Sequence, residues 1–290
     1  MILEYIVKED DVNKTYKSIL QNKLRLSTRL LNRLKNRGKL KVNEELMYVN
    51  KCSILGDIIH VDINSEESND SVIPQKGDLD ILYEDDYYIA VNKTPNMVIH
   101  PCSYHPDNTL SNYLKYYLKT NNCIHPVNRL DKDTSGVVLF AKNEYAQELF
   151  NIMQMKAQKV YITVVDGNFK DREGTINAPI ARREGSIIER CVNLHNGQEA
   201  ITHYKVLKSF NIEGNDYTML EIMLETGRTH QIRVHMAYIG HPIVGDGLYN
   251  KNVSSLINRQ ALHAYKLTFV HPITNEIVAI TAELPNDMIF

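Results

Sequence analysis

The chain has 290 residues, with 33 Lys and Arg against 35 Asp and Glu, a formal net charge of −2 and 43% hydrophobic residues. That length suits one large domain with a small companion and enough apolar content for a buried core. The opening residues lack the basic end and long apolar stretch of a signal peptide, no apolar run is long enough to span a bilayer, and Cys52, Cys102, Cys123 and Cys191 are scattered with no Cys-x-x-Cys pair. A membrane span, a disulfide framework and a zinc site are therefore not expected, and a cytoplasmic protein is.

Near neutrality conceals two opposed regions. From Lys14 to Lys41 every charged residue is Lys or Arg, whereas between Asp57 and Asp86 acidic residues face Lys76 alone. In chain order, the first predicted element is a short helix over 28–37, with Ser27 as N-cap, Leu30, Leu31 and Leu34 as its apolar stripe and Gly38 after its last turn. Arg29, Arg33 and Arg37 recur every fourth residue and share a face, the pattern of a solvated surface or of a phosphate-binding row. Residues 39–43 and 56–61 read as short strands. The whole resembles the small RNA-binding module of the ribosomal protein S-four type, which gives those three arginines a role as substrate-binding residues.

Residues 64–71 are polar and free of large apolar groups, the composition of a linker. The division that follows is a basic module at 1–63, an acidic linker at 64–78 and a large second domain at 79–290. Beyond the linker, strands are predicted at 89–91, 137–141, 160–165, 217–224 and 277–280, with a helix over 144–157 behind the cap Asn143. Mixed strands with few helices read as α+β.

The run Asn128-Arg129-Leu130-Asp131-Lys132-Asp133-Thr134-Ser135-Gly136, followed by Val137-Val138-Leu139-Phe140, places Arg before a carboxylate on a polar turn that feeds an apolar strand. Asp131, Asp133, Ser135 and Gly136 fit half of a calcium loop, but the position of the bidentate Glu holds Lys142. A magnesium-dependent phosphohydrolase using Asp131 and Asp133 would set its nucleophile directly after a buried strand, and the residues before Asp131 are too polar and broken by Pro126. A polar turn without chemistry, and a non-catalytic RNA-binding protein built on the basic module, are the remaining alternatives.

Arg129-Leu130-Asp131-Lys132-Asp133-Thr134-Ser135-Gly136 and Gly227-Arg228-Thr229-His230-Gln231-Ile232-Arg233-Val234-His235-Met236 resemble the two signatures of the RluA/RluD family of pseudouridine synthases. The likeness runs from about Ile81 to near the C-terminus and includes Gly240-His241-Pro242-Ile243-Val244-Gly245-Asp246 and Leu262-His263-Ala264-Tyr265. Asn128 stands where many relatives carry His, and Thr94-Pro95-Asn96 where they have Pro and then Gly. Asn accepts the left-handed backbone nearly as Gly does, so the second turn is expected to survive.

The resemblance implies a curved, mainly antiparallel mixed sheet with flanking helices and a central cleft. It implies isomerisation of uridine in structured RNA, ribosomal RNA first and transfer RNA second, with no cofactor and no metal; monomer is the default. Catalytic roles fall on Asp131, on Tyr161 as the ring against uracil, and on Arg233 as the cation that keeps Asp131 ionised. Arg129 points toward the displaced nucleotide or its phosphate. Thr226 or Thr229 is expected to cap the helix carrying Arg233, and His230 and His235 to serve packing and hydrogen bonding.

Overall fold

The computed structural model describes residues 2–63, 72–119, 123–153, 157–252 and 254–290. The first part is a four-stranded antiparallel sheet in the order β1-β4-β2-β3, formed by β1 (Ile2–Ile6), β2 (Leu40–Val42), β3 (Glu45–Leu46) and β4 (Ile58–Asp62), with helices α1 (Tyr16–Asn22) and α2 (Thr28–Asn36) packed on it. Thr15 and Ser27 cap the helices, each accepting a backbone N–H through its hydroxyl. Helix α2 buries Leu30, Leu31 and Leu34 and ends one residue short of the predicted limit, with Arg37 as its C-cap. Of the linker predicted at 64–78, residues 64–71 lie outside the described residues, and 72–78 carry neither helix nor strand.

The second part is a ten-stranded sheet flanked by three helices. Its strands are β5 (Ile81–Glu84), β6 (Tyr88–Lys93), β7 (His125–Pro126), β8 (Ser135–Ala141), β9 (Gln158–Asp166), β10 (Glu173–Asn177), β13 (Ile201–Ile212), β14 (Asn215–Leu224), β15 (Leu262–Val270) and β16 (Ile277–Thr281). The order is β10-β13-β14-β9-β15-β8-β6-β5, with β16 on β15 and β7 on β8; only β15 and β8 run parallel. The hairpin of β11 (Ile180–Arg182) and β12 (Arg190–Val192) stands apart as a two-stranded sheet. The helices are α3 (Leu110–Leu118), α4 (Glu144–Met153) and α5 (Gln231–Tyr238).

Strand β8 explains the continuous apolar run in the sequence: all seven of its residues are buried. Side chains alternate across a strand, so Val137, Leu139 and Ala141 pack with Ala146 and Phe150 of α4, while Val138 and Phe140 pack with Leu110 and Leu114 of α3. Gly136 has φ +111, and a Cβ there would collide with the backbone of Ala264 where β8 meets β15. A residue with a side chain at 136 could not take this place without separating the pair.

Helix α4 is capped by Asn143, whose Oδ1 accepts the Ala146 N–H at 2.8 Å, and is described to Met153; residues 154–156 of its predicted extension lie outside the described residues. It has two apolar faces. Ala146 and Phe150 meet the large sheet, while Tyr145 and Leu149 enter the core of the N-terminal part beside Leu20, Leu30 and Leu34. The Tyr145 hydroxyl donates to the Leu24 carbonyl at 2.9 Å and Ser27 Oγ donates to Glu148 at 2.8 Å. Arg33 pairs with Glu144 across the same seam. The arginine row is thus divided: Arg29 and Arg37 are exposed, and Arg33 is turned inward because an acidic helix start packs against it.

Candidate active site

Asp131 sits on the loop from β7 into β8, and local bonds hold that loop. The Asn128 amide takes the place of a strand partner: its Nδ2 donates to Val137 O at 3.1 Å and its Oδ1 accepts the Leu139 N–H at 2.8 Å. The Thr134 N–H closes the turn onto Asp131 O at 3.1 Å. Lys93 Nζ donates to the carbonyls of Lys132, Thr94 and Met97 at 2.7, 2.9 and 3.0 Å. Arg259, held by Asp287 through two bonds of 2.8 Å, donates to Asp133 O at 3.1 Å. Asn96 adopts φ +59, the left-handed backbone expected of it.

Arg233 lies in the first turn of α5, and its guanidinium joins two carboxylates. Nη1 donates to Asp131 Oδ2 at 2.8 Å, while Nε and Nη2 grip Asp246 at 2.7 and 2.8 Å. The Asp246 side chain is wholly buried and also accepts the backbone N–H groups of Leu248 and Tyr249. Burial alone would lower the Arg233 pKa, but Asp246 and then Asp131 raise it, so the cation is permanent. Fixed from behind by Asp246, it presents one N–H to Asp131.

No hydrogen bond falls on Asp131 Oδ1 among the described residues.

Helix α5 begins differently from the prediction. Neither Thr226 nor Thr229 caps it; the N-cap is His230, left-handed at φ +58, with no side-chain cap bond. Gln231 replaces the cap by reaching back to accept the Arg228 N–H at 2.9 Å, while Thr226 Oγ1 is drawn to the same amide oxygen and to the Ile201 N–H. His235 serves the packing role expected of it, between Thr202 Oγ1 and Ala178 O. His230 does more. Tyr249 Oη accepts the Arg190 backbone N–H at 2.8 Å and is hydrogen-bonded to His230 Nδ1, also at 2.8 Å. The other ring nitrogen, Nε2, faces Asp131 Oδ2 at 3.7 Å. Burial lowers the His230 pKa and favours the neutral ring.

Tyr161, on β9, is buried at the floor of the same cleft with Leu130, Leu224, Ile232 and Leu262. Burial, and then the charge of Asp131, push its phenol to about 12, so it stays protonated at neutral pH. The inner cavity of about 70 Å³ adjoins a mouth of about 490 Å³ lined by Arg129, Lys159 and Arg228 as well. Asp131, Tyr161, Arg233 and Arg129 therefore converge, whereas Arg29, Arg33 and Arg37 lie on the other sheet's helix. Asp246 and His230 escaped the sequence reading as site residues. A usable signal existed for Asp246, since an acid inside an apolar segment needs a buried partner. Among the described residues no group of three His, Cys, Asp or Glu side chains converges as a metal site, and the Asp131 carboxylate is already engaged by Arg233.

Lys93 is fully buried, and desolvation lowers its pKa to about 7 from the ordinary 10.5. The unfolded chain therefore holds a proton that the folded chain releases, so stability rises with pH from about 7 toward 10.5. The Lys93→Met variant should lose that rise. It should also melt lower, since each stranded carbonyl costs about 1–3 kcal/mol. Thermal melts at pH 7 and pH 9.5 check both effects.

The profile of the family described as RNA pseudouridylate synthase matches residues 87–238. A Bacillus subtilis (strain 168) protein named uncharacterized RNA pseudouridine synthase YhcT is 38% identical over 99% of this chain and 95% of its own. The ribosomal large subunit pseudouridine synthase D of Blochmanniella floridana is 36% identical, covering 87% of this chain and 84% of its own. The solved human RNA pseudouridylate synthase domain containing 1 superposes with a TM-score of 0.60 at 26% identity, over 72% of this chain and 86% of that one. Fold and matches together define an enzyme that isomerises uridine in RNA. The chain belongs to the RluA/RluD family of RNA pseudouridine synthases. The phosphohydrolase and the non-catalytic RNA-binding protein find no support in these matches. No helix among the described residues is long and apolar enough to cross a membrane.

Proposed function

We propose that Asp131 performs the chemistry on a uridine of ribosomal RNA, with Arg233 and Tyr161 as its partners and without cofactor or metal. The bond from ribose C1′ to N1 breaks, the base turns, C1′ bonds to C5, and the C5 proton leaves while N1 gains one. The observation that carries this reading is the Asp131–Arg233 pair at 2.8 Å on the floor of a partly apolar cavity. The guanidinium there is ion-paired with the carboxylate, and Asp131 lines the space where the ribose would lie. It acts at the sugar by adding to C1′ or by taking the C2′ proton. Tyr161, a neutral phenol, offers a ring face to uracil and a hydroxyl that relays the departing C5 proton, giving up its own proton as it takes that one. Arg129 at the mouth takes the space or the phosphate of the displaced nucleotide. Ribosomal RNA is the target suggested by the names of the relatives called ribosomal large subunit pseudouridine synthase D. The base must leave its stack, which costs least in loops and distorted helices.

Release of tritium from RNA labelled at uridine C5 is the direct test, with ribosomal and transfer RNA assayed separately. Release from ribosomal RNA is expected. Release from transfer RNA alone would move the target, and none from either would remove the proposal. We further assign to the enzyme a monomeric, cytoplasmic existence and to residues 1–63 a role in holding RNA through Arg29 and Arg37. Arg29→Gln with Arg37→Gln should weaken RNA binding uniformly across sequences and flatten its salt dependence by about 1.5 in log–log slope. A filter-binding titration in KCl reads this, and an unchanged slope rejects it.

A further inference from the structure

Beside the catalytic cleft, the β11–β12 hairpin and the turn before α5 enclose a second groove of about 330 Å³. Its polar walls are Arg182, Arg190, Arg228, Asn196, Gln198 and Thr229, and no carboxylate lines it. Arg182 and Arg190 are directly opposite in the antiparallel hairpin, so their side chains leave the same face. Like charges in that arrangement destabilise a strand pair. Neither has a carboxylate partner among the described residues, although the adjacent Arg183 pairs with Glu189 at 3.0 Å. Arg228 donates Nε to Glu199 O at 2.9 Å, which leaves its two terminal nitrogens available. Arg228 also lines the cleft that holds Asp131, so groove and cleft meet at this residue.

Two uncompensated guanidinium forks, a third at the junction, and amide and hydroxyl donors between them form a site for oxyanions spaced along a chain. We infer that this groove holds the RNA phosphodiesters next to the uridine that enters the cleft. The inference rests on the reading of RNA as substrate and adds a location for its backbone. Phosphates bound there relieve the repulsion between Arg182 and Arg190. They also fix the strand's register relative to Asp131 without reading a base.

The experiment compares Arg182→Gln/Arg190→Gln with wild type in salt-dependent RNA binding and in steady-state tritium release. The log–log salt slope of binding should fall by about 1.5 and KM should rise about tenfold at 0.1 M salt, with the loss carried by KM rather than kcat. The backbone N–H of Arg190 that feeds Tyr249 is untouched by this change. Arg182→Lys/Arg190→Lys should retain the slope, because the phosphate contact is chiefly one of charge. Arg183→Gln, which removes an already neutralised cation from the same hairpin, should keep wild-type slope and KM. A wild-type slope in the Gln pair, or an equal loss in Arg183→Gln, overturns the inference. Absence of tritium release by the wild-type enzyme would strike the functional reading instead, and the salt slopes would still decide the groove.

Discussion

Asp131→Asn should fold and bind RNA as the wild type does and turn over at least about 10⁴-fold more slowly, the scale seen when a nucleophile or general base is removed. The amide keeps the size of the carboxylate and one oxygen to accept the Arg233 N–H, so the 2.8 Å contact survives in neutral form. The side chain is 28% exposed and its ion pair with Arg233 is only one of that cation's two attachments, so the melting temperature should shift by only a few degrees. Single-turnover tritium release and a binding titration on the same preparation separate the two effects. Turnover within a factor of ten of wild type would remove Asp131 from the chemistry.

Asp246→Asn should injure both fold and activity. It leaves Arg233 buried with half its compensation gone, and its amide N–H groups face guanidinium N–H groups. Breaking one partner of a buried pair costs about 3–5 kcal/mol, which lowers the melting temperature by roughly 10 °C in a domain of this size. Without the rear grip, Arg233 no longer aims Nη1 at Asp131, and misplacement on the order of 1 Å costs about 10²-fold in rate. The double variant Arg233→Met/Asp246→Leu separates these consequences. Apolar residues replacing both charges should restore most of the stability and none of the activity. Should the double variant regain turnover, the Arg233 cation has no part in catalysis.

The parts legible in the sequence are those whose physics is local. The apolar runs of β8, β9 and β14 announced themselves because both faces of these strands are largely covered, and Ser27 and Asn143 signalled their helices through side-chain capping. Strand β13 escaped because its outer residues, Lys205 and Lys208 among them, stay exposed and dilute the alternation. Strand β15 was visible only as a motif around His263, since Lys266 and Thr268 interrupt its apolar residues. Asp131, Tyr161 and Arg233 were named from a family pattern, and three separate elements bring them to one cleft. What no local pattern could carry is pairing across the fold: Arg33 with Glu144, and Arg233 with Asp246.

The seating of Tyr145 and Leu149 among leucines of the N-terminal sheet bears on how this enzyme can be handled and how it could have been assembled. Cutting the chain after residue 63 would uncover an oily scar on α4 together with the orphaned acids Glu144 and Glu148. Such a fragment should self-associate, whereas grafting the N-terminal piece onto another catalyst requires transplanting the matching helix face as well. The two halves behave as a lock and its escutcheon, and would be inherited together.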